Sequence, residues 1–147
     1  MSSVDAAAPD SATLDRLWEA AAQAAGHAYA PYSKFYVGAA LLFDDGAVVT
    51  GCNVENVSYG LTSCAERNAL FRAISERGPG AKIVAIAVTN RNHAASPPCG
   101  ACRQVMSEFV SPHAVVRFAG ENGPQTMRFA DLFPCGFTLH PQEGSAP

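Results

Sequence analysis

Residues 83–88 read Ile-Val-Ala-Ile-Ala-Val, an unbroken apolar run within Lys82–Thr89. A strand with one wet face alternates polar and apolar residues. A run without alternation suits a central strand covered on both faces. Segments of helical period flank it. Cys64–Arg77 carries Ala65, Ala69, Leu70, Ala73 and Ile74 on one stripe, with Ser63 as its expected cap and Gly78 past its end. Cys99–Phe109 is expected to be helical, with Pro98 just before it.

The rest of the chain repeats this alternation. Leu14, Leu17, Trp18, Ala21, Ala22 and Ala25 recur at helical spacing, with Ser11 or Thr13 as the expected cap and Gly26 as the stop. Val37–Phe43 and Ala47–Cys52 are expected to pair as a hairpin through Asp44-Asp45-Gly46. Ala114–Phe118 and Thr126–Phe129 are expected as the last two strands, followed by a helical turn near Asp131–Phe133. The implied fold is an α/β class, three-layer α/β/α sandwich with a mixed sheet of about five strands. One domain over residues 13–140 is expected, between loose tails at 1–12 and 141–147.

Charge and composition narrow the function. The net charge is −3 and no block of like charges occurs, so no nucleic-acid partner is expected. No apolar run approaches the ~18 residues of a membrane span. Met1–Ser11 lacks a basic residue and an apolar stretch, so it does not read as a signal peptide, and the cytoplasm is the expected compartment. The five cysteines, an odd number in such a chain, favour metal or catalytic use over a disulfide framework.

Two short motifs carry the chemistry: Cys64-Ala65-Glu66 and Pro98-Cys99-Gly100-Ala101-Cys102. A Cys-x-x-Cys pair opening a helix keeps both thiols near one face. A third thiolate from another helix start completes three ligands, leaving the fourth tetrahedral position of a zinc ion open to water. Three thiolates on zinc leave excess negative charge, which helix N-termini and Arg67 can offset. Glu66, two residues from a ligand, is placed to carry protons without binding metal. The competing readings are a redox Cys-x-x-Cys pair, or a structural zinc site with Cys52, His93 or Cys135 as fourth ligand.

These residues resemble the cytidine deaminases, specifically the small homotetrameric class with three cysteine ligands. "CAER" (64–67) and "PCGACRQV" (98–105) carry the resemblance, as do "YAPYSKFYVGAALL" (29–42), "GCNVENVSYGLT" (51–62) and "DLFPCGF" (131–137), all in family order. Zinc deaminases are described generally by an H-x-E…P-C-x-x-C signature; Cys64 stands here where that signature has histidine. The resemblance implies about one zinc per chain on Cys64, Cys99 and Cys102, with Glu66 as the proton carrier. It also implies Phe35 near the pyrimidine, Asn53 and Glu55 on the ribose 3′-hydroxyl, and the Ala65 backbone N–H on the 2-carbonyl. Tyr59 and Phe137 would act across subunit boundaries, and Arg67 would compensate the thiolates.

The reaction implied is hydrolytic deamination of cytidine and 2′-deoxycytidine, in pyrimidine salvage. The alternative on the same scaffold is a deaminase or N4-amidohydrolase acting on modified nucleosides or analogues such as blasticidin S; the ribose segment "NVENVSY" speaks against the latter. A nucleic-acid editor lacks its expected basic stripe here, and Cys64 is not histidine; a zinc-stapled binding module without catalysis is a further alternative, which metal analysis and an ultraviolet assay on cytidine separate. Two positions depart from the family pattern: Asn68 stands where threonine is expected, and Cys135 precedes Phe137 as a packing thiol.

Overall fold

The computed structural model describes residues 8–80 and 82–139. Of the expected tails at 1–12 and 141–147, residues 1–7 and 141–147 lie outside the described residues. The elements are α1 (Ser11–Ala25), β1 (Val37–Phe43), β2 (Val48–Cys52), α2 (Ala65–Arg77), β3 (Ile83–Asn90), α3 (Gly100–Met106), β4 (Val110–Gly120), β5 (Gly123–Arg128) and α4 (Phe129–Leu132), with a 3-10 turn at Tyr59–Leu61.

One mixed sheet runs β2-β1-β3-β4-β5. β1 is antiparallel to β2 and β3, β3 is parallel to β4, and β5 is antiparallel to β4. The apolar run occupies the middle strand, as its lack of alternation requires. Ile86 and Val88 join the core beneath α2, α3 and α4, together with Leu41, Leu70 and Met106. Ala85 and Ala87 face the other way, into a second core with Leu14, Leu17 and Ala21 of α1. The sheet is therefore covered by helices on both faces.

Several boundaries differ from expectation. α1 is capped by Asp10, whose carboxylate accepts the Thr13 N–H at 2.8 Å; Ser11 already lies within the helix, so ordered structure starts before residue 13. Ser63 does not cap α2, because Cys64 takes the N-cap position. α3 stops at Met106, short of the expected Phe109, because the chain is drawn into the parallel pairing of Ile83 with Val110. β4 and β5 extend to a tight turn, with Gly120 opposite Gly123 and Gly123 at φ 109°, a conformation open to glycine. Pro124 is tolerated in β5 because that strand is an edge.

The site depends on how closely α2 lies on the sheet. Gly51 of β2 faces the backbone of α2, and a Cβ there would sit 2.8 Å from Ala69 Cα and 2.9 Å from the Ala65 carbonyl oxygen. Neither is a flexible group that can move aside. Gly51→Ala is expected to lower unfolding free energy by about 1–3 kcal/mol in urea titration, the usual cost of overpacking. Gly80→Ala, where a Cβ meets nothing within 4 Å, is expected to stay within about 0.5 kcal/mol of the parent.

Candidate active site

α2 and α3 both begin with a cysteine in extended backbone geometry, Cys64 (φ −71°, ψ 154°) and Cys99 (φ −68°, ψ 165°). At most helix starts the N-cap side chain accepts a backbone N–H. Neither cysteine does so; their sulfurs turn towards each other instead, 3.9 Å apart. Cys102, one turn into α3 and fully buried, places its sulfur 3.5 Å from that of Cys99. All three sulfurs lie within 4.8 Å of one another. Tetrahedral ligands at Zn–S bond lengths stand about 3.8 Å apart, so the set fits a zinc ion. Among the described residues, Cys52, His93 and Cys135 do not join the cluster, so the structural-site reading finds no fourth ligand in them.

The charges around the sulfurs are arranged for this role. Arg67 donates to Cys64 Sγ at 3.5 Å through Nη2, while its Nε is buried without a partner. The Cys64 thiol is drawn down to about 5, first by the hydrogen bond from Cys102 and then by Arg67 and Cys99, against the opposing effect of burial. Cys102 moves up, because it donates to Cys64 and is itself desolvated. A divalent cation displaces the thiol protons. Glu66, in the first turn of α2, is only 4% exposed. Burial pushes its carboxyl above the ordinary glutamate value, and the neighbouring Cys64 charge adds to that. A carboxyl in this state takes and returns protons more readily than a solvated one.

The cluster opens into a cavity of about 360 Å³, lined by Cys64, Cys99, Glu66 and Ala65 together with Phe35, Asn53 and Glu55. That volume suits a small organic ligand. Asn53 clamps the entrance of β1: its Oδ1 accepts the Val37 N–H at 2.9 Å and its Nδ2 donates to the Phe35 carbonyl at 2.8 Å. Glu55 Oε1 accepts the N–H groups of Tyr32 and Ser33 at 3.0 and 3.1 Å. The Ser33 side chain, first among these partners, holds the Glu55 carboxyl below its usual range. An ionised carboxylate has lone pairs left over for a ligand hydroxyl.

Sequence reasoning missed Ser33, Thr62, Val88, Ser96 and Pro97, which also line the cavity. Ser96 and Pro97 lie immediately before the Pro98-Cys99 motif, an adjacency that could have flagged them. Val88 carries no such signal, since within its apolar run it reads as core. Tyr59 and Phe137 are not brought into this cavity. Tyr59 is 75% exposed and packs edge-on against Tyr32, and Phe137 is 73% exposed with its carbonyl accepting from Gln104 Nε2 at 3.0 Å.

Three thiols at two helix N-termini, with a buried carboxyl beside them, form a hydrolytic type of metal centre. The family profile described as "Cytidine and deoxycytidylate deaminase zinc-binding region" matches residues 11–119, and the chain belongs to that family. A cytidine deaminase of Halalkalibacterium halodurans is 50% identical over 128 residues, covering 85% of this chain and 96% of the relative. One from Mycobacterium tuberculosis is 47% identical over 119 residues, covering 81% and 85%. The crystal structure of the Burkholderia pseudomallei cytidine deaminase superposes with a TM-score of 0.76 at 49% identity, covering 84% of this chain and 98% of that one. The fold is thus the α/β fold of cytidine deaminase structures.

The loop that delivers Cys99 is held from behind. Arg103 of α3 donates through Nε to the Pro98 carbonyl at 2.7 Å and through Nη1 to the Leu132 carbonyl, at the end of α4, at 2.8 Å. Pro98 is among the most fully buried residues. Arg103→Met keeps the apolar stem and strands both acceptors. Its expected cost is about 1–3 kcal/mol in unfolding free energy, read from the urea midpoint.

Proposed function

We propose that this chain catalyses zinc-dependent hydrolytic deamination of cytidine and 2′-deoxycytidine, giving the uridine counterparts and ammonia. The observation that carries the reading is the convergence of three thiols and one buried carboxyl on a nucleoside-sized cavity. Membership of the deaminase family supports it. When bound by Cys64, Cys99 and Cys102, zinc supplies the Lewis acidity that makes water a nucleophile at neutral pH. Glu66 receives the proton that the attacking water gives up and delivers it to ring N3. It then carries the second proton to the amino group, which leaves C4 as ammonia. The Ala65 N–H, at the start of α2, holds the 2-carbonyl of the pyrimidine. Phe35 lies along the base, and Asn53 and Glu55 take the ribose 3′-hydroxyl. Arg67 offsets the thiolate charge. The free thiols and the metabolic reaction suit the cytoplasm and pyrimidine salvage.

Zinc analysis combined with an ultraviolet assay on cytidine tests this. About one zinc per chain is expected. Glu66→Gln is expected to keep fold and zinc while losing turnover by roughly 100-fold or more, because an amide cannot accept and return a proton. A zinc-loaded Glu66→Gln protein with near-normal turnover would rule out the assignment.

The active site is further proposed to be completed by neighbouring chains in a homotetramer. Val57, Tyr59 and Leu61, at alternate positions of one segment, and Phe137 are each more than 70% exposed, and exposed apolar groups that cluster mark interaction surfaces. A nucleoside held at the cluster needs walls that exclude bulk water, and a neighbour's Tyr59 and Phe137 are suited to supply them. Phe137→Ala is expected to raise KM without loss of zinc. If both variants are strongly impaired alone and their subunits exchange, mixing Glu66→Gln with Phe137→Ala chains should restore part of the activity. A fully active monomer would contradict this sharing.

A further inference from the structure

We infer that Asn68 is a positioning residue that fixes the segment leading into Cys64 at the start of α2. The inference rests on Cys64 being a zinc ligand, as proposed above. A ligand at the N-cap creates a structural problem. Its side chain is committed to the cluster, and no side-chain cap bond is made at the start of α2. Something else must set the angle at which the chain enters the helix.

Asn68 is one turn further along, with its backbone N–H bonded to the Cys64 carbonyl at 3.1 Å. Its side chain reaches back. Oδ1 accepts from Ser63 Oγ at 2.7 Å, and Nδ2 donates to the Cys52 carbonyl at 2.8 Å and to the Ser63 carbonyl at 3.3 Å. Ser63 precedes the ligand. Cys52 ends β2 and precedes Asn53, the residue that clamps Phe35 and Val37. One amide therefore ties the approach to the metal ligand to the strand that leads into the substrate pocket. Ser63, which by type should cap α2, instead spends its hydroxyl on Asn68.

The chemistry of the amide matters. Asparagine offers an acceptor and two donor hydrogens on one short, flat group, and the three contacts use both ends. A threonine there has a single hydroxyl and cannot match all three. An aspartate keeps the shape and the acceptor but loses both donors, leaving the Cys52 carbonyl and one Ser63 contact unpaired. It also sets a second negative charge near the thiolates. Groups that orient a metal ligand from behind typically govern metal affinity and activity by about 10–100-fold.

The test uses the full-length zinc protein, its Asn68→Ala, Asn68→Asp and Asn68→Thr variants, and Ser63→Ala. Zinc retention is measured by competition with a chromophoric chelator, and the ligand geometry by the absorption spectrum after cobalt(II) substitution. Asn68→Ala and Asn68→Asp are expected to lose zinc affinity by about 10-fold or more and to shift the cobalt–thiolate bands. Asn68→Thr should fall between them and the parent, and Ser63→Ala, which removes only one contact, should show a smaller change in the same direction. If Asn68→Ala does not fold, Asn68→Thr and Ser63→Ala decide. Parent-like affinity and cobalt spectra in the folded variants would overturn the inference. Failure of the parent itself to bind zinc would instead refute the metal-site reading, as would parent-like zinc affinity in Cys64→Ala.

Discussion

Two helices can present thiols to one ion only if their N-termini converge, and that convergence is set by close packing on one face of the sheet. Gly51 lets α2 lie against β2 with its backbone at van der Waals distance. Ala65, Ala69 and Ala73 keep the buried side of α2 thin, and all three are essentially inaccessible. A bulkier residue at any of these positions would lift the helix and carry Cys64 away from Cys99. The dense packing of protein interiors leaves little slack to absorb such a displacement. The parallel pairing of β3 with β4 has a related consequence. It requires a crossover, and the crossover contains α3, which brings Cys99 and Cys102 to the same end of the sheet as α2.

The site's charge problem is solved by the same placement. Two buried acidic groups, Cys102 and Glu66, meet the half-buried Cys64 at one point of the fold. Burial opposes ionisation of each of these three. Arg67 and the two helix N-termini favour ionisation here, and the hydrogen bonds among the sulfurs draw the Cys64 thiol down while Cys102 moves up. Glu66 is pushed up by its burial. The lowered Cys64 thiol and the raised Glu66 carboxyl therefore come from one arrangement.

The walls of the cavity are built from backbone restraint more than from large side chains. Asn53, Glu55 and Asn90 each hold loop backbone in place: Asn53 on Phe35 and Val37, Glu55 on Tyr32 and Ser33, Asn90 on Ala94 and the Ser96 hydroxyl. Short polar side chains suit this because they bond locally to turns. Asn53 and Glu55 thus serve the scaffold as well as lining the cavity, and a substitution there changes loop shape along with any ligand contact.

The sequence by itself determined the layered fold and the chemistry of the cluster. The unbroken run at 83–88 demanded cover on both faces, and the cysteine spacing with Glu66 beside it pointed to a metal and a proton carrier. These signals are local: each is written within a few residues, in period or in spacing. What only the tertiary structure decided depends on contacts between distant segments. α3 ends at Met106 because Val110 pairs with Ile83, a competition invisible in the helical pattern of residues 99–109. Ser63 fails as a cap because Asn68 engages it and Cys64 is turned to the cluster. Val88, Ser96 and Pro97 line the cavity because β3 and the loop after it end beside α2. Tyr59 and Phe137 remain outside the cavity of their own chain because the folded domain leaves both rings on its surface, a placement that depends on the whole packing of the chain and that no local pattern records.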